Sequence, residues 1–333
     1  MKKVLLATSF LVATTGFAAA EVAVSGSARM GVVYDSTLDA GSGKAYFSSR
    51  VRIVFTASGE TDGGLAFGAS MRADQQGGNN NDGGVITPAI PDDLTTPLVD
   101  ESVAAVKVDK DGDSNGDSTV FLSGDFGKIT MGDVSGAADA LVGQTSGVGY
   151  GPNDGLQEID FIGTDKTAAY YEYSTGNFTV GLGVGQIWDV DADVALGETA
   201  NIAVKYAMGD YTAAIGYETS DTEDLISASG SAKFGAFTLK ARVSDSDIAG
   251  VDTPYSVSGD YVTGALTITA FYTDFGNYNG VSDDTQHVGL GASYDLGGGA
   301  KLAGGIVQQM NGDVLGVAVG DETFADVGVK FSF

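Results

Sequence analysis

Cysteine is absent from the 333 residues. That excludes a fold stapled by disulfides, thiol catalysis and zinc–thiolate centres. Histidine occurs once, at His287, and tryptophan once, at Trp188, so neither type builds a cluster. The five prolines, Pro88, Pro91, Pro97, Pro152 and Pro254, fall in segments that read as loops or at a strand's first residue. A missing N–H is tolerated there. Positive charge is scarce: 17 Lys and Arg stand against 44 Asp and Glu, for a net charge of −27. Such a balance argues against nucleic acid as a partner and suits attraction of cations. Beyond residue 20 no run of about 18 apolar residues exists, so no membrane helix is expected. Barrel strands escape that test, because only every second residue of theirs is apolar.

Residues 1–20 read as a cleaved signal peptide. Lys2 and Lys3 precede the apolar stretch Val4–Ala13, and Ala18-Ala19-Ala20 offers a small-residue cleavage site. Residues 21–333 then form one domain. Glycine, at 50 residues, is about twice its usual share, and it shows no collagen period. Glycine at this frequency in strands relieves crowding where a sheet bends or a lumen fills.

The end of the chain alternates. Val327, Val329, Phe331 and Phe333 are apolar, with Gly328, Lys330 and Ser332 between them, and Phe324 is counted with the apolar set. Glu21–Asp35 carries a matching pattern. Pairing first and last strands closes a sheet and removes both edges. Sixteen strands are predicted at 21–35, 44–59, 65–74, 117–124, 128–133, 167–174, 177–186, 199–208, 211–219, 224–234, 237–245, 255–264, 265–275, 285–296, 299–309 and 323–333. Short hairpin chemistry such as Gly209-Asp210 and Gly235-Ala236 alternates with longer polar loops. The expectation is an all-β, sixteen-stranded antiparallel transmembrane β-barrel.

Parity assigns the faces. Phe47, Val51, Ile53 and Phe55 alternate with Arg50, Arg52 and Thr56; Phe67 and Met71 alternate with Ser70 and Arg72. An arginine facing lipid near the midplane costs about 2–4 kcal/mol, so the arginines point inward. Tyr34, Tyr173, Tyr206, Tyr211, Tyr217 and Tyr294 fall near strand ends on the oily parity, where interfacial girdles form. The run Val120-Phe121-Leu122 is apolar on both faces and does not fit this scheme.

Several stretches resemble a known family. Phe47-Ser48-Ser49-Arg50, the run Ser58–Ser70 around Glu60-Thr61-Asp62-Gly63-Gly64, and Phe126-Gly127-Lys128-Ile129-Thr130-Met131-Gly132-Asp133 are similar to general diffusion porins of Gram-negative outer membranes, most closely those of alphaproteobacteria. Gly289–Gly299 and the closing Val327–Phe333 extend the likeness to the last residue. The resemblance implies a sixteen-stranded barrel, a homotrimer, passage of ions and small hydrophilic solutes, and a third external loop folded into the lumen. The chain departs from the family at about Gln75–Asp117, where the second loop is usually shorter.

The expected constriction sets carboxylates of the long segment after the fifth strand against wall arginines. Asp133, Asp139, Glu158 and Asp160 stand on one side, with Asp154 and Asp165 in the same segment; Arg29, Arg50, Arg52 and Arg72 stand on the other. Such a pair of surfaces creates a transverse field in a narrow passage. The same charges also serve to pin the loop to the wall. The alternating oxygens of Asp111, Asp113 and Asn115, with Gly116, match the start of a calcium loop, but Leu122 stands where a bidentate Glu is required. No cofactor is required otherwise. Acidic loops, including Asp189-Val190-Asp191-Ala192-Asp193, suit divalent-cation bridges to lipopolysaccharide. Gly147–Gly151 and Gly181–Gly185 look like phosphate-binding glycines but open no helix. His287 points inward and is the best signal for a barrel hydrolase, yet no Gly-x-Ser-x-Gly elbow accompanies it. Three competing classes stay open at this point: a barrel enzyme, a barrel plugged by residues 75–117, and an exported soluble β-sandwich.

Overall fold

A computed structural model describes residues 21–38, 43–78, 115–164, 168–185, 198–248, 250–276, 285–314 and 317–333. The strands are β1 (Glu21–Asp35), β2 (Lys44–Glu60), β3 (Ala66–Gly78), β4 (Asn115–Gly124), β5 (Gly127–Gly132), β6 (Ala168–Thr175), β7 (Phe178–Val184) and β8 (Ala200–Met208). They continue as β9 (Tyr211–Thr219), β10 (Asp224–Phe234), β11 (Phe237–Ser246), β12 (Tyr255–Thr263), β13 (Leu266–Gly276), β14 (Thr285–Gly297), β15 (Ala300–Val314) and β16 (Val317–Ser332). One short helix, α1 (Ala137–Val142), interrupts the segment between β5 and β6.

Each strand pairs antiparallel with its chain neighbours, and the sheet closes on itself. The closing seam runs from Ser27↔Ser332 to Asp35↔Phe324. Gly26 and Phe333 exchange backbone hydrogen bonds of 2.7 and 3.0 Å at its end. Closure leaves no unpaired edge within the wall, which is what a sheet in lipid needs. At one rim the β2–β3 connection has five residues, and the other six of the seven connections are two-residue turns. Gly209, with φ of 60°, takes the left-handed conformation that such a turn demands.

Burial is inverted relative to a water-soluble protein. Phe47 is 82% exposed, Val22 64% and Leu290 55%, whereas Thr273 and Ser256 are fully buried. A soluble protein does not carry an apolar belt of this extent on its outside. Such a belt belongs in hydrocarbon, and this disposes of the soluble-sandwich reading. Aromatic pairs frame the belt at the turn rim: Phe178–Tyr206 and Phe237–Tyr261 with centroids 4.7 Å apart, and Tyr211–Phe234 at 6.1 Å. Tyr255–Tyr272 sits toward the other rim at 5.9 Å. The outward placement of Tyr34, Tyr173, Tyr211, Tyr217 and Tyr294 follows the predicted parity.

Three local readings change. Phe121 is on the inner face, where its ring covers Gly68 and lies 4.7 Å below the Lys128 ammonium. That cation–π contact explains an apolar residue on the wet side of β4. Phe324 also belongs to the inner parity, partnering Val307 and Asp35 and packing on an inner apolar cluster. Strands β15 and β16 run past the predicted ends, to Val314 and Val317. Register shifts between Gln309 and Asp313 are absorbed within one continuing ladder. The predicted signal peptide, residues 1–20, and most of the long second loop, residues 79–114, lie outside the described residues.

Candidate functional site

The segment 133–164 lies against the inner parity of most of the wall. It starts beside β8, where the Ala137 N–H donates to Asn201 Oδ1 at 2.5 Å. Helix α1 then packs its buried face, Ala137, Ala138, Leu141 and Val142, on β7–β10. Only small wall residues permit this approach: a Cβ on Gly216 would stand 2.8 Å from the Ala138 Cβ. Further along, Thr145 Oγ1 and Ser256 Oγ of β12 are 2.6 Å apart, and Ser146 Oγ donates to Asp260 at 2.7 Å. Val148 joins Phe271 of β13 and Val307 of β15 in an apolar cluster. At Gly149, with φ of 101°, the backbone turns so that the Tyr150 N–H donates to Asp326 of β16 at 3.1 Å. The Tyr150 ring reaches Val33 of β1 and Ala303 of β15, and its hydroxyl donates to the Ser48 carbonyl of β2 at 3.4 Å.

The return limb binds a second set of wall residues. The Leu156 carbonyl is 2.6 Å from His287 Nδ1, and Thr273 Oγ1 donates to the Gln157 carbonyl at 3.0 Å. Arg242 of β11 donates to the Ile159 and Asp160 carbonyls at 2.5 and 3.1 Å. Its guanidinium carbon lies 3.7 Å from the centre of the Phe161 ring. The Gly163 N–H donates to Glu218 of β9 at 3.2 Å. Buried hydroxyls and charges on the wall thus meet backbone groups that would otherwise lack partners.

The expected site residues fall into two groups. Arg29, Arg50, Arg52 and Arg72 share one stretch of the inner face of β1–β3, with Arg29 directly opposite Arg50. Asp74 binds two of them: Arg52 Nε and Nη2 reach its oxygens at 2.9 and 3.0 Å, and Arg72 Nε approaches at 3.0 Å. The segment's carboxylate in this neighbourhood is Asp154, which lines one cavity with Arg29 and Arg50. Asp139, Glu158 and Asp160 form the second group, within electrostatic reach of Arg242. Asp133 marks the end of β5, where its N–H donates to the Ser118 carbonyl at 2.9 Å. Glu158 and Asp160 are exposed, and Asp139 is half-buried. Partial desolvation, then the carboxylates of Asp154 and Asp139, pushes Glu158 above its ordinary value, against the pull of Arg242.

His287 has both ring nitrogens engaged, Nδ1 by the Leu156 carbonyl and Nε2 by Gln309 Oε1 at 2.9 Å. Gln309 in turn donates to Glu322 at 3.1 Å, and the Phe275 ring stands edge-on 4.8 Å away. No serine hydroxyl is among these partners. Of the calcium candidates, Asp111 and Asp113 lie outside the described residues, and Asn115 is described by its backbone alone, as the first residue of β4. The acidic run 189–193 is likewise outside them. Among the described residues no three His, Asp or Glu side chains converge as a metal site. Sequence reasoning gave no role to Asp74, Arg242, Glu218, Asp326, Lys301 or Lys330. Inward parity was the available signal for all six.

Comparison with known proteins agrees with this architecture. The family described as Gram-negative porin matches residues 7–314. A porin of Rhodobacter capsulatus is 34% identical, over 94% of this chain and 100% of the relative. A solved porin structure is 32% identical and superposes with a TM-score of 0.66, covering 94% of this chain and 100% of that one. A mutant porin of Rh. blastica shares the fold at 21% identity, with a TM-score of 0.70 and coverage of 94% and 100%. A closed sixteen-stranded barrel with an outward apolar belt, matched along nearly its whole length, places this chain in the Gram-negative porin family of outer-membrane diffusion channels.

Proposed function

We propose that the protein is a cation-favouring channel for ions and small hydrophilic solutes, in which the third long loop, residues 133–164, folds into the lumen and narrows it. One observation carries the reading: the segment bonds to inner-parity residues on β2, on β8–β14 and on β16. A loop outside the barrel has no access to all of these at once. The exposed carboxylates of Asp154, Glu158 and Asp160 then border the remaining passage, with Arg29, Arg50, Arg52 and Arg72 on the β1–β3 wall. A net charge of −27 supports attraction of cations to the mouth. Passive diffusion requires no cofactor and no catalytic residue, and the engagement of both His287 nitrogens supports a pinning role for that side chain. Cleavage after Ala20 and assembly as a homotrimer complete the reading, which follows the family.

The experiment is a reversal-potential measurement in a planar bilayer under a salt gradient. Wild-type protein should prefer cations, and replacing Arg50, Arg52 and Arg72 with glutamine should raise that preference. Unchanged selectivity in the triple variant would remove these arginines from the passage. Absence of current from correctly folded protein would favour a barrel plugged by the second loop.

A further inference from the structure

We propose that Lys301, Lys330, Arg29 and Arg50 form a binding site for small organic dianions, dicarboxylates in particular, on the wall of the lumen near the turn rim. The inference rests on the channel reading above and names a solute class for one part of it. Four basic residues stand directly opposite one another on four successive strands: Lys301↔Lys330 between β15 and β16, Lys330↔Arg29 between β16 and β1, and Arg29↔Arg50 between β1 and β2. Like charges directly opposite on one face of a sheet are destabilising. A chain with 17 basic residues among 44 acidic ones has placed four of the 17 in an unbroken row.

The row borders a single cavity of about 320 Å³, which all four side chains line. Asp154 is the one carboxylate among the described residues around it, and it comes from the loop rather than the wall. Beside the row, Arg52 and Arg72 converge on Asp74, whose charge also reaches Arg50. Ser27 and Ser332, opposite each other on β1 and β16, add hydroxyls to the lining.

Geometry selects the ligand class. Strands are about 4.8 Å apart, so the row extends about 14 Å. A monovalent anion engages one rung at a time. A dicarboxylate a few ångströms long spans two neighbouring rungs, one carboxylate to each, and its attraction to the row doubles while the volume it needs stays small. Arg29, at 9% exposure beside Gly151, adds a fixed positive charge within the row. Lys301 is exposed and Lys330 half-buried, so the mobile lysine heads are the groups an entering solute meets from the turn rim. The basic row acts on anions, and Asp154 brings the acidic loop to the same cavity.

The test uses purified protein in planar bilayers, with succinate and acetate added in turn to a potassium chloride bath. Succinate should reduce the current half-maximally at a concentration at least about tenfold below that of acetate, the effect of one charge-assisted hydrogen bond. In K301Q/K330Q the succinate value should rise by about tenfold or more. The control K205Q/K240Q removes two inner-face lysines from β8 and β11 and should leave the ratio in place. Equal action of succinate and acetate, or equal losses in the two variants, would overturn the site while leaving the channel standing. Calorimetry of the detergent-held protein with succinate decides the site independently of conduction. A silent bilayer with measurable, Lys330-dependent heat would therefore refute the channel reading alone.

Discussion

Arg242 gives the sharpest test of how the loop is held. The side chain is 2% exposed, donates to the Ile159 and Asp160 carbonyls and lies against the Phe161 ring. Methionine at this position keeps much of the volume and removes all three contacts. Each hydrogen bond from a charged donor contributes about 1.5–3 kcal/mol, and a desolvated cation–π contact about 2 kcal/mol. These terms overlap, because the same group makes them, so about 4 kcal/mol is a fair sum for docking of the return limb. That corresponds to a change of about a thousandfold in the local opening equilibrium. The reporters are two amides of the limb: Ile159 N–H, which donates to Gln144 Oε1 at 3.2 Å, and Gly163 N–H, which donates to Glu218. Hydrogen exchange at both should accelerate by about three orders of magnitude in R242M, with the barrel amides unchanged. The lysine variant retains the charge without the fork and should fall between. Wild-type exchange rates at Ile159 and Gly163 in R242M would refute the assignment of Arg242 as the pin.

Two further predictions concern selectivity. Replacing Asp74 with asparagine removes one negative charge from the wall beside Arg52 and Arg72; an ion passing about 5 Å away in water feels about 0.8 kcal/mol from it, or about 0.5 kcal/mol after screening at 0.1 M salt. The cation-to-anion permeability ratio should drop about fivefold, since the two ions shift in opposite directions, and an unchanged reversal potential would place Asp74 away from the ion path. Glu158, its acidity weakened by desolvation and neighbouring carboxylates, should take up its proton at a higher pH than an ordinary glutamate, so cation preference should decline in a step that E158Q abolishes. The sign for stability is the reverse of the usual carboxylate: the folded state binds this proton better, so stability drops as pH rises through the window and E158Q should flatten that slope.

The wall was legible because its physics is local. Alternation marks the lipid face of each strand, and the mismatch between an arginine and hydrocarbon fixes the sign of the parity. Arg50, Arg52 and Arg72 therefore point as predicted, and the first strand meets the last. Partners across the lumen left no comparable trace. Asn201, Ser256 and Asp326 bind the loop from 64, 111 and 176 residues away. Inner apolar residues such as Val33, Phe271, Val307 and Phe324 break the polar rule because the loop covers them, a fact that only the folded chain expresses. A loop without a period likewise gives no way to choose among its carboxylates. Asp139 ends beside β8 and β9 on a six-residue helix, while Asp154, fifteen residues on, reaches the arginine wall.

In the proposed channel, the exposure of each charge separates what holds the loop from what would meet a solute. Arg242 and Glu218 are almost wholly buried, and each is bonded to the backbone of the return limb. A charge in that state is already compensated by fixed dipoles, so a passing ion feels little of it. Asp154, Glu158 and Lys301 are exposed, and Arg50 and Lys330 half-exposed. Their fields extend into the space that solute occupies, where a difference of one charge is worth a few tenths of a kcal/mol to about 1 kcal/mol. In the channel proposed above, positioning and selection therefore fall to different residues of the same charge type. A pinned loop is what makes the selection meaningful: carboxylates on a wandering chain average their field over the whole lumen. On that proposal, holding Asp154 and Glu158 at fixed points turns the same charges into a directional field against the β1–β3 wall.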